Sequence, residues 1–292
     1  MKLPSPLSVI AVTALALAST VAIARAANES ADPPAQEASA DHHHDEAEDK
    51  SAPKEAPKPQ PRRKVDPEKR KKFEAERAKY QKRLKDWKNA KKYRGCRFQA
   101  PQSFLVRGNF LKNGQLQPAA HQRAVKYRAE KYGILPGFNL DAYSAGTVGE
   151  QVVSARFMGL PIQIHERVEP ALICVENRIK QQCSKHEKDK YKANGIGGLR
   201  VGNTYRGGEI SNHLFGIAID IDSGRNPCCG CVDPWPNHPL CKKKSASVYE
   251  RTALTRCWID SFEKYGFYWL GRDKLEDTMH FEFLGNPDRI LP

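Results

Sequence analysis

Two segments that alternate between apolar and polar side chains contain residue types able to bind a metal ion. The first, "SNHLFGIAIDID" at residues 211–222, contains His213 and Asp220, and the second, "DTMHFEF" at residues 277–283, contains His280. A period of two is typical of a strand that buries one face. Asp220 and His280 are therefore predicted to leave their strands opposite the apolar side chains. Two imidazoles and one carboxylate can bind zinc and leave a fourth position for water.

Two further acids accompany the second histidine. Asp277 lies three residues before His280, where it could take a proton from an attacking water and return it to a leaving amine. Glu282 shares the strand face of His280 and could orient a ligating imidazole. Taken singly, each residue also has a structural explanation, such as a turn at Asp277, and it is the joint pattern that favours a site.

Together, the two segments resemble the zinc D,D-carboxypeptidases and L-alanyl-D-glutamate endopeptidases that trim peptidoglycan. The family signature is Ser-x-His-x6-Asp, followed downstream by an acid-x-x-His-(Phe/Trp)-Glu. The matching positions are Ser211, His213, Gly216, Ala218, Asp220, Asp277, His280, Phe281 and Glu282. The stretch "YGFYWLG" at 265–271 resembles the aromatic strand that precedes the second motif in the endopeptidase branch.

The resemblance implies one zinc per chain with His213, Asp220 and His280 as ligands, and Asp277 as general base and acid. It also implies an upstream arginine that holds the substrate carboxylate. Within "GGLRVGNTYRGG", Arg200 is preferred because it follows the paired glycines. The substrate-binding candidates are Arg200, Arg206 and Ser211.

The implied activity is hydrolysis of a D-amino-acid-containing peptide bond in peptidoglycan stem peptides, either D-Ala-D-Ala or L-Ala-D-Glu. A non-catalytic zinc-containing binding domain is the first alternative, because the related fold also serves in the Hedgehog signalling domain. The presence of Asp277 argues against that alternative. A wall or surface adhesion protein with a vestigial domain is the second.

The body that positions these residues is predicted to run from 94 to 292. Apolar periodicity indicates helices near 121–132, 166–182 and 249–265, and strands near 160–164, 216–222, 267–270 and 279–284. These strands are too short and too mixed for a doubly wound sheet. They predict an α+β domain with a small, mostly antiparallel sheet and packed helices, as the resemblance also implies.

The N-terminal region is predicted to direct export. Residues 1–26 have a positive start, an apolar run and small residues before a cleavage site, as in a signal peptide. A membrane anchor is the alternative, but the run is short of the roughly 20 residues that span a bilayer. Residues 27–66 lack apolar periodicity and are predicted to be a disordered linker. The expected location is periplasmic, cell-surface or extracellular.

Positive charge is concentrated in one segment. The chain carries a net charge of +14, and residues 54–94 hold eighteen Lys/Arg against six Asp/Glu. Residues 67–93 are predicted to form a basic helix whose apolar stripe consists of Phe73, Tyr80, Leu84 and Trp87. The segment either binds an anionic wall polymer or membrane surface, or packs its stripe on the next domain or a second copy. Nucleic acid is disfavoured because the chain is exported and shows no known binding motif.

An even number of cysteines in an exported chain predicts disulfides. Cys174 and Cys183 are not expected to pair, because a continuous helix would hold them about 13 Å apart along its axis. The insertion at 226–241 contains four cysteines, which could instead bind a second, structural zinc. The sequence does not give the connectivity, but a bridge from this insertion to Cys257 is plausible, because Cys257 falls on the apolar side of the predicted helix over 249–265.

Overall fold

A four-stranded antiparallel sheet carries both alternating segments. The computed structural model describes residues 66–90, 95–112, 115–203, 209–231, 235–243 and 247–292, which all belong to one unit within Pro57–Pro292. The predicted signal peptide, all of the predicted linker except Asp66, and the candidate Arg206 lie outside the described residues.

Helices and small antiparallel sheets make up the described part of the chain. The helices are α1 (Pro67–Lys88), α2 (Pro118–Tyr132), α3 (Glu169–Arg178) and α4 (Arg256–Glu263). The strands are β1 (Leu111–Lys112), β2 (Gln115–Leu116), β3 (Val152–Phe157), β4 (Leu160–His165), β5 (Ile196–Gly197), β6 (Ala218–Ile221), β7 (Phe267–Trp269) and β8 (His280–Phe283). This content confirms the predicted α+β class. Among the described residues, no helix combines the length and apolarity needed to cross a membrane.

The register of the main sheet brings the polar residues of two strands together. Its strand order is β5-β6-β8-β7, and β6 pairs antiparallel with β8 so that Asp220 lies opposite His280 and Ala218 opposite Glu282. Directly opposed residues share a face of the sheet, so Asp220, His280 and Glu282 lie on the same face. The other face contributes buried apolar side chains to the core: Ile219, Ile221, Phe281 and Phe283. The predicted alternation is confirmed.

The fourth helix is shorter than the sequence predicts. Periodicity indicated a helix over 249–265, but α4 begins at Arg256, after the N-cap Thr255. The side-chain oxygen of Asn226 accepts three hydrogen bonds from residues 252–254, at 2.8, 2.9 and 3.1 Å. These tertiary bonds hold the preceding segment outside the helix, so the predicted start is wrong.

The third helix and the hairpin before it also differ from expectation. The predicted helix over 166–182 appears as α3, which ends at Arg178 and continues as a π-helical turn over Ile179–Cys183. Strand β3, "VVSARF", was not predicted, although it pairs along its whole length with β4. Both strands are rich in β-branched residues, which favour a pleated surface.

Four disulfides use all eight cysteines, and the insertion has disulfides where a second zinc site was the alternative. The pairs are Cys96–Cys174, Cys183–Cys257, Cys228–Cys231 and Cys229–Cys241. Cys174 and Cys183 do not pair, as predicted. The predicted bridge from the insertion to Cys257 is wrong. Cys257 lies in the first turn of α4, which packs against the π-helical turn containing Cys183.

The basic helix α1 packs its apolar stripe against the body. Leu84 is buried, and the ring of Phe73 abuts Gly146, where an added Cβ would lie 2.1 Å from the ring. Arg77 forms a two-pronged ion pair with Glu166 at 2.9 and 3.0 Å, and the Glu166 side chain is only 3% exposed. The segment was expected either to bind an anionic surface or to pack its stripe on the next domain or a second copy, and in the structure the stripe packs on the body. The helix ends at Lys88 and not at residue 93.

Arg77→Ala is expected to lower the free energy of unfolding by about 3 kcal/mol, because it leaves the charge of Glu166 buried without its main partner. Urea unfolding at constant pH measures this change. Lys79→Ala on the exposed side of the same helix is the matched control, for which a change within about 0.5 kcal/mol is expected. Equal losses in the two variants would show that the ion pair does not stabilise the docked helix.

Candidate metal centre

His213, Asp220 and His280 converge on one face of the main sheet. Nε2 of His213 lies 3.1 Å from Oδ2 of Asp220, and Nδ1 of His280 lies 2.7 Å from Oδ1. The two ring nitrogens are 3.2 Å apart. Both imidazoles are buried, whereas the Asp220 side chain is 22% exposed. One ligand atom from each residue lies within 4.8 Å of the other two, so a single ion could contact all three.

Hydrogen bonds on the far side of each imidazole orient the ligating nitrogen. Nδ1 of His213 lies 2.5 Å from the carbonyl oxygen of Gly198, to which it donates, and this leaves Nε2 facing Asp220. Nε2 of His280 donates to Oε1 of Glu282 at 3.2 Å and leaves Nδ1 facing the Asp220 carboxylate. Metal-ligating histidines typically donate their second N–H to a carbonyl or carboxylate. The nitrogen and oxygen donors therefore fit zinc.

The charges of the cluster suit a cation at its centre. Burial opposes ionisation of Asp220, but the two imidazoles outweigh it and hold the pKa of this carboxyl well below its usual value. Burial also disfavours protonated His280, but Asp220 and Glu282 outweigh it and raise the pKa of the imidazole well above its usual value. The metal-free chain thus holds a proton where a divalent cation would bind. Metal binding at such ligands releases protons.

Asp277 lies beside the cluster in an environment suited to proton transfer. Burial raises the pKa of Asp277 to about 7; His280 opposes this shift and Asp220 adds to it. The residue as a whole is half-buried, but its Oδ1 is fully buried and has no hydrogen-bond partner in the described part of the chain. A carboxyl group that titrates near neutral pH can both accept and return a proton.

The predicted substrate-binding residues occupy different positions. Nη2 of Arg200 lies 3.9 Å from Oδ2 of Asp220, and its side chain is 43% exposed, which places it at the rim of the cluster. Ser211 is buried, and its hydroxyl accepts a hydrogen bond from the backbone N–H of His213 at 3.3 Å. The Ser211 side chain therefore caps the turn that carries His213. Arg206 lies outside the described residues.

Three contributors to the cluster were missed from the sequence. The carbonyl of Gly198 orients His213, the Asn212 side chain hydrogen-bonds to Glu282, and the Cys228–Cys231 disulfide lies beside Asp277. A backbone carbonyl carries no side-chain signal, so Gly198 could not be found by residue type. The disulfide could have been suspected only once the insertion was known to return to the turn before β8.

Asp277→Asn is expected to stabilise the zinc-free chain at pH 8 by up to about 4 kcal/mol. Burial raises the pKa of this carboxyl from its usual 3.8 to about 7. The carboxyl therefore ionises more readily in the unfolded chain, and this cost lowers the free energy of unfolding as the pH rises from about 4 to about 7. Asparagine has no such cost, so the advantage should shrink at pH 4.

Urea unfolding of both chains at pH 4, 6 and 8 measures the difference. The cluster titrates in both chains, so the difference between them reports Asp277 together with its coupling to His280 and Asp220. Asp260→Asn, which removes an exposed carboxylate on α4, should show no such trend. A difference between Asp277→Asn and the unchanged chain that is equal at all three pH values would rule out the raised pKa.

Two imidazoles and a carboxylate beside a buried acid, held by a small antiparallel sheet, are typical of hydrolytic metal sites. Residues 204–283 match the family model described as D-alanyl-D-alanine carboxypeptidase. The matched segment contains both alternating segments, which confirms the resemblance over this part of the chain and supports a peptidase. No curated protein and no solved structure matches the chain.

Proposed function

We propose that this chain is an exported zinc peptidase that hydrolyses a peptide bond in the stem peptides of bacterial peptidoglycan. The observation that carries the proposal is the convergence of His213, Asp220 and His280 within the segment that matches D-alanyl-D-alanine carboxypeptidase. The scissile bond is D-Ala-D-Ala or L-Ala-D-Glu. The three converging residues are the proposed zinc ligands.

Zinc bound at this site would polarise the scissile carbonyl and lower the pKa of a bound water to about 7. Asp277 takes a proton from the attacking water as the water oxygen adds to the carbonyl carbon. When the C–N bond breaks, Asp277 returns this proton to the leaving nitrogen. The products are a carboxylate and an amine. A pKa near 7 supports both transfers, because neither protonation state is then strongly favoured at neutral pH.

Substrate binding is assigned to the rim of the cluster. The guanidinium of Arg200 is partly exposed beside Asp220, where it can form charge-assisted hydrogen bonds with a substrate carboxylate. Arg206, within the matched segment, is the second candidate. Ser211 contributes by holding the turn of His213, and Glu282 contributes by orienting His280.

Mass spectrometry of a defined pentapeptide muropeptide after incubation with the zinc-loaded chain tests this proposal. Loss of one terminal alanine indicates cleavage of D-Ala-D-Ala, and a cut after L-Ala indicates the endopeptidase reaction. The control is the same preparation after zinc is removed with a chelator. An intact muropeptide that binds to the zinc-loaded chain would favour the non-catalytic binding protein instead.

The basic helix adds a proposed contact with anionic wall polymer. Its apolar stripe is buried against the body, but the outward side keeps exposed cations: Lys71, Lys72, Lys79, Lys82, Arg83 and Lys85. The combined variant Lys72→Glu, Lys79→Glu and Lys85→Glu should bind isolated sacculi more weakly. The loss should be largest at low salt, where the attraction between opposite charges is screened least. Substitution is preferable to deletion of 54–93, which would also remove the buried Arg77–Glu166 pair. If this variant binds sacculi normally but no longer binds anionic vesicles, the partner of the basic helix would be a membrane surface instead of the wall polymer.

A further inference from the structure

The cysteine-rich insertion runs antiparallel to the turn that carries Asp277. Cys228 and Asp277 face each other in an isolated antiparallel bridge. Hydrogen bonds join the two segments: Cys229 N to Glu276 O at 3.2 Å, Gly230 N to Leu275 O at 2.6 Å, Thr278 N to Pro227 O at 3.1 Å and Thr278 Oγ1 to Pro227 O at 2.8 Å. Residues 227–230 therefore hold the backbone on both sides of Asp277.

This close approach depends on a glycine. A Cβ added to Gly230 would lie 2.5 Å from the carbonyl oxygen of Lys274 and 2.7 Å from that of Leu275. No side chain fits at this distance, so the insertion meets the turn backbone to backbone. The position of Asp277 is thus coupled to the conformation of the insertion.

A disulfide forms the wall next to the Asp277 carboxyl. Sγ of Cys228, Sγ of Cys231 and a carboxylate oxygen of Asp277 all lie within 4.8 Å of one another. Cys228 is 1% exposed, whereas Cys231 is partly exposed. Oδ1 of Asp277 is buried without a hydrogen-bond partner among the described residues, and the disulfide sulfurs beside this carboxyl cannot donate one.

The long-range disulfides can maintain the fold when this bridge opens. Cys228 and Cys231 are three residues apart in sequence, whereas Cys96–Cys174 and Cys183–Cys257 span 78 and 74 residues. In the chain-entropy account, a disulfide that closes a short loop stabilises the folded state less than one that closes a long loop. Opening Cys228–Cys231 is therefore expected to change the site while the body stays folded.

We infer that Cys228–Cys231 is a redox-active disulfide that controls hydrolysis by positioning Asp277, and that its reaction partner is a dithiol. This inference rests on the proposed role of Asp277. One thiolate of the dithiol attacks the partly exposed Sγ of Cys231, the S–S bond breaks, and Sγ of Cys228 leaves and takes up a proton. The second thiol then displaces Cys231, so the dithiol is oxidised to its disulfide and both cysteines become thiols.

Reduction changes the site in two ways. The Cys228–Cys231 bond no longer fixes Cys228, so the Cys228 side chain gains rotational freedom beside Asp277. The new Cys228 thiol also gains an S–H donor at the turn before Asp277, where the carbonyl oxygen of Leu275 lies 3.4 Å from its sulfur. The rate of hydrolysis should fall by about 10-fold or more, because general-base catalysis depends on the position of the base.

The test compares the full zinc-loaded chain before reduction, after reduction with dithiothreitol, and after reoxidation. Muropeptide hydrolysis, zinc content and the thiols mapped by alkylation and mass spectrometry are measured on the same samples. A phosphine reductant repeats the experiment, because dithiols can remove zinc. The expected result is a reversible loss of rate, at constant zinc content, that follows the appearance of thiols at Cys228 and Cys231.

Paired variants locate the effect. Cys228→Ser together with Cys231→Ser should give low activity that no longer responds to the reductant. Cys229→Ser together with Cys241→Ser removes the other bridge of the insertion, and its rate should still fall on reduction by about the same factor, relative to its own oxidised rate. An oxidised, active chain whose rate is unchanged when Cys228 and Cys231 are reduced would overturn this inference alone. A zinc-loaded, oxidised chain without hydrolysis would contradict the proposed function and this inference with it.

Discussion

Asp277→Asn is expected to lower the rate of muropeptide hydrolysis by about 10²–10⁴-fold while one zinc per chain stays bound. Asparagine preserves the size of the side chain but cannot accept the proton of the attacking water. A loss of this size is the usual contribution of positioned proton transfer to the rate. The metal should remain because His213, Asp220 and His280 form the donor cluster without Asp277.

Zinc stoichiometry and turnover must be measured on one preparation of the Asp277→Asn chain. A parallel loss of zinc and rate would make Asp277 a ligand. Asparagine suits turns as well as aspartate does, so near-normal turnover would show that Asp277 only shapes the turn, and the proposed mechanism would fail. Asp260→Asn on the surface of α4 is the control for a charge change outside the site.

His213→Ala and His280→Ala are each expected to abolish stoichiometric zinc binding. Each substitution removes one of three converging donors, and two donors leave a site that cannot compete with a chelator of moderate strength. Hydrolysis should be lost with the metal. Metal analysis after dialysis, together with urea unfolding, separates lost binding from lost folding.

A graded series strengthens the metal assignment. Glu282→Gln keeps all three donors but weakens the hydrogen bond that orients His280, so zinc affinity should fall by about 10–100-fold. His186→Ala changes an exposed histidine outside the cluster and should leave zinc binding unchanged. Full zinc retention in both His213→Ala and His280→Ala would exclude these residues as ligands.

Local patterns in the sequence were sufficient to predict the strands that carry the site. The alternation in residues 216–222 and 279–284 correctly indicated β6 and β8, because side chains leave a strand on alternate faces wherever the strand lies. The same alternation placed Asp220, His280 and Glu282 opposite the apolar faces, as the structure has them. Their chemical types alone restricted the site to metal or acid–base chemistry.

Tertiary structure decided the features that depend on residues far apart in the chain. The register that sets Asp220 beside His280 joins positions 60 residues apart, and no local period encodes it. The start of α4 depends on hydrogen bonds from Asn226, which override the helical periodicity of the preceding segment. The cysteine partners depend on which Cα atoms approach within bonding range, and that distance exists only in the folded chain. The wall that Cys228–Cys231 forms beside Asp277 appears for the same reason.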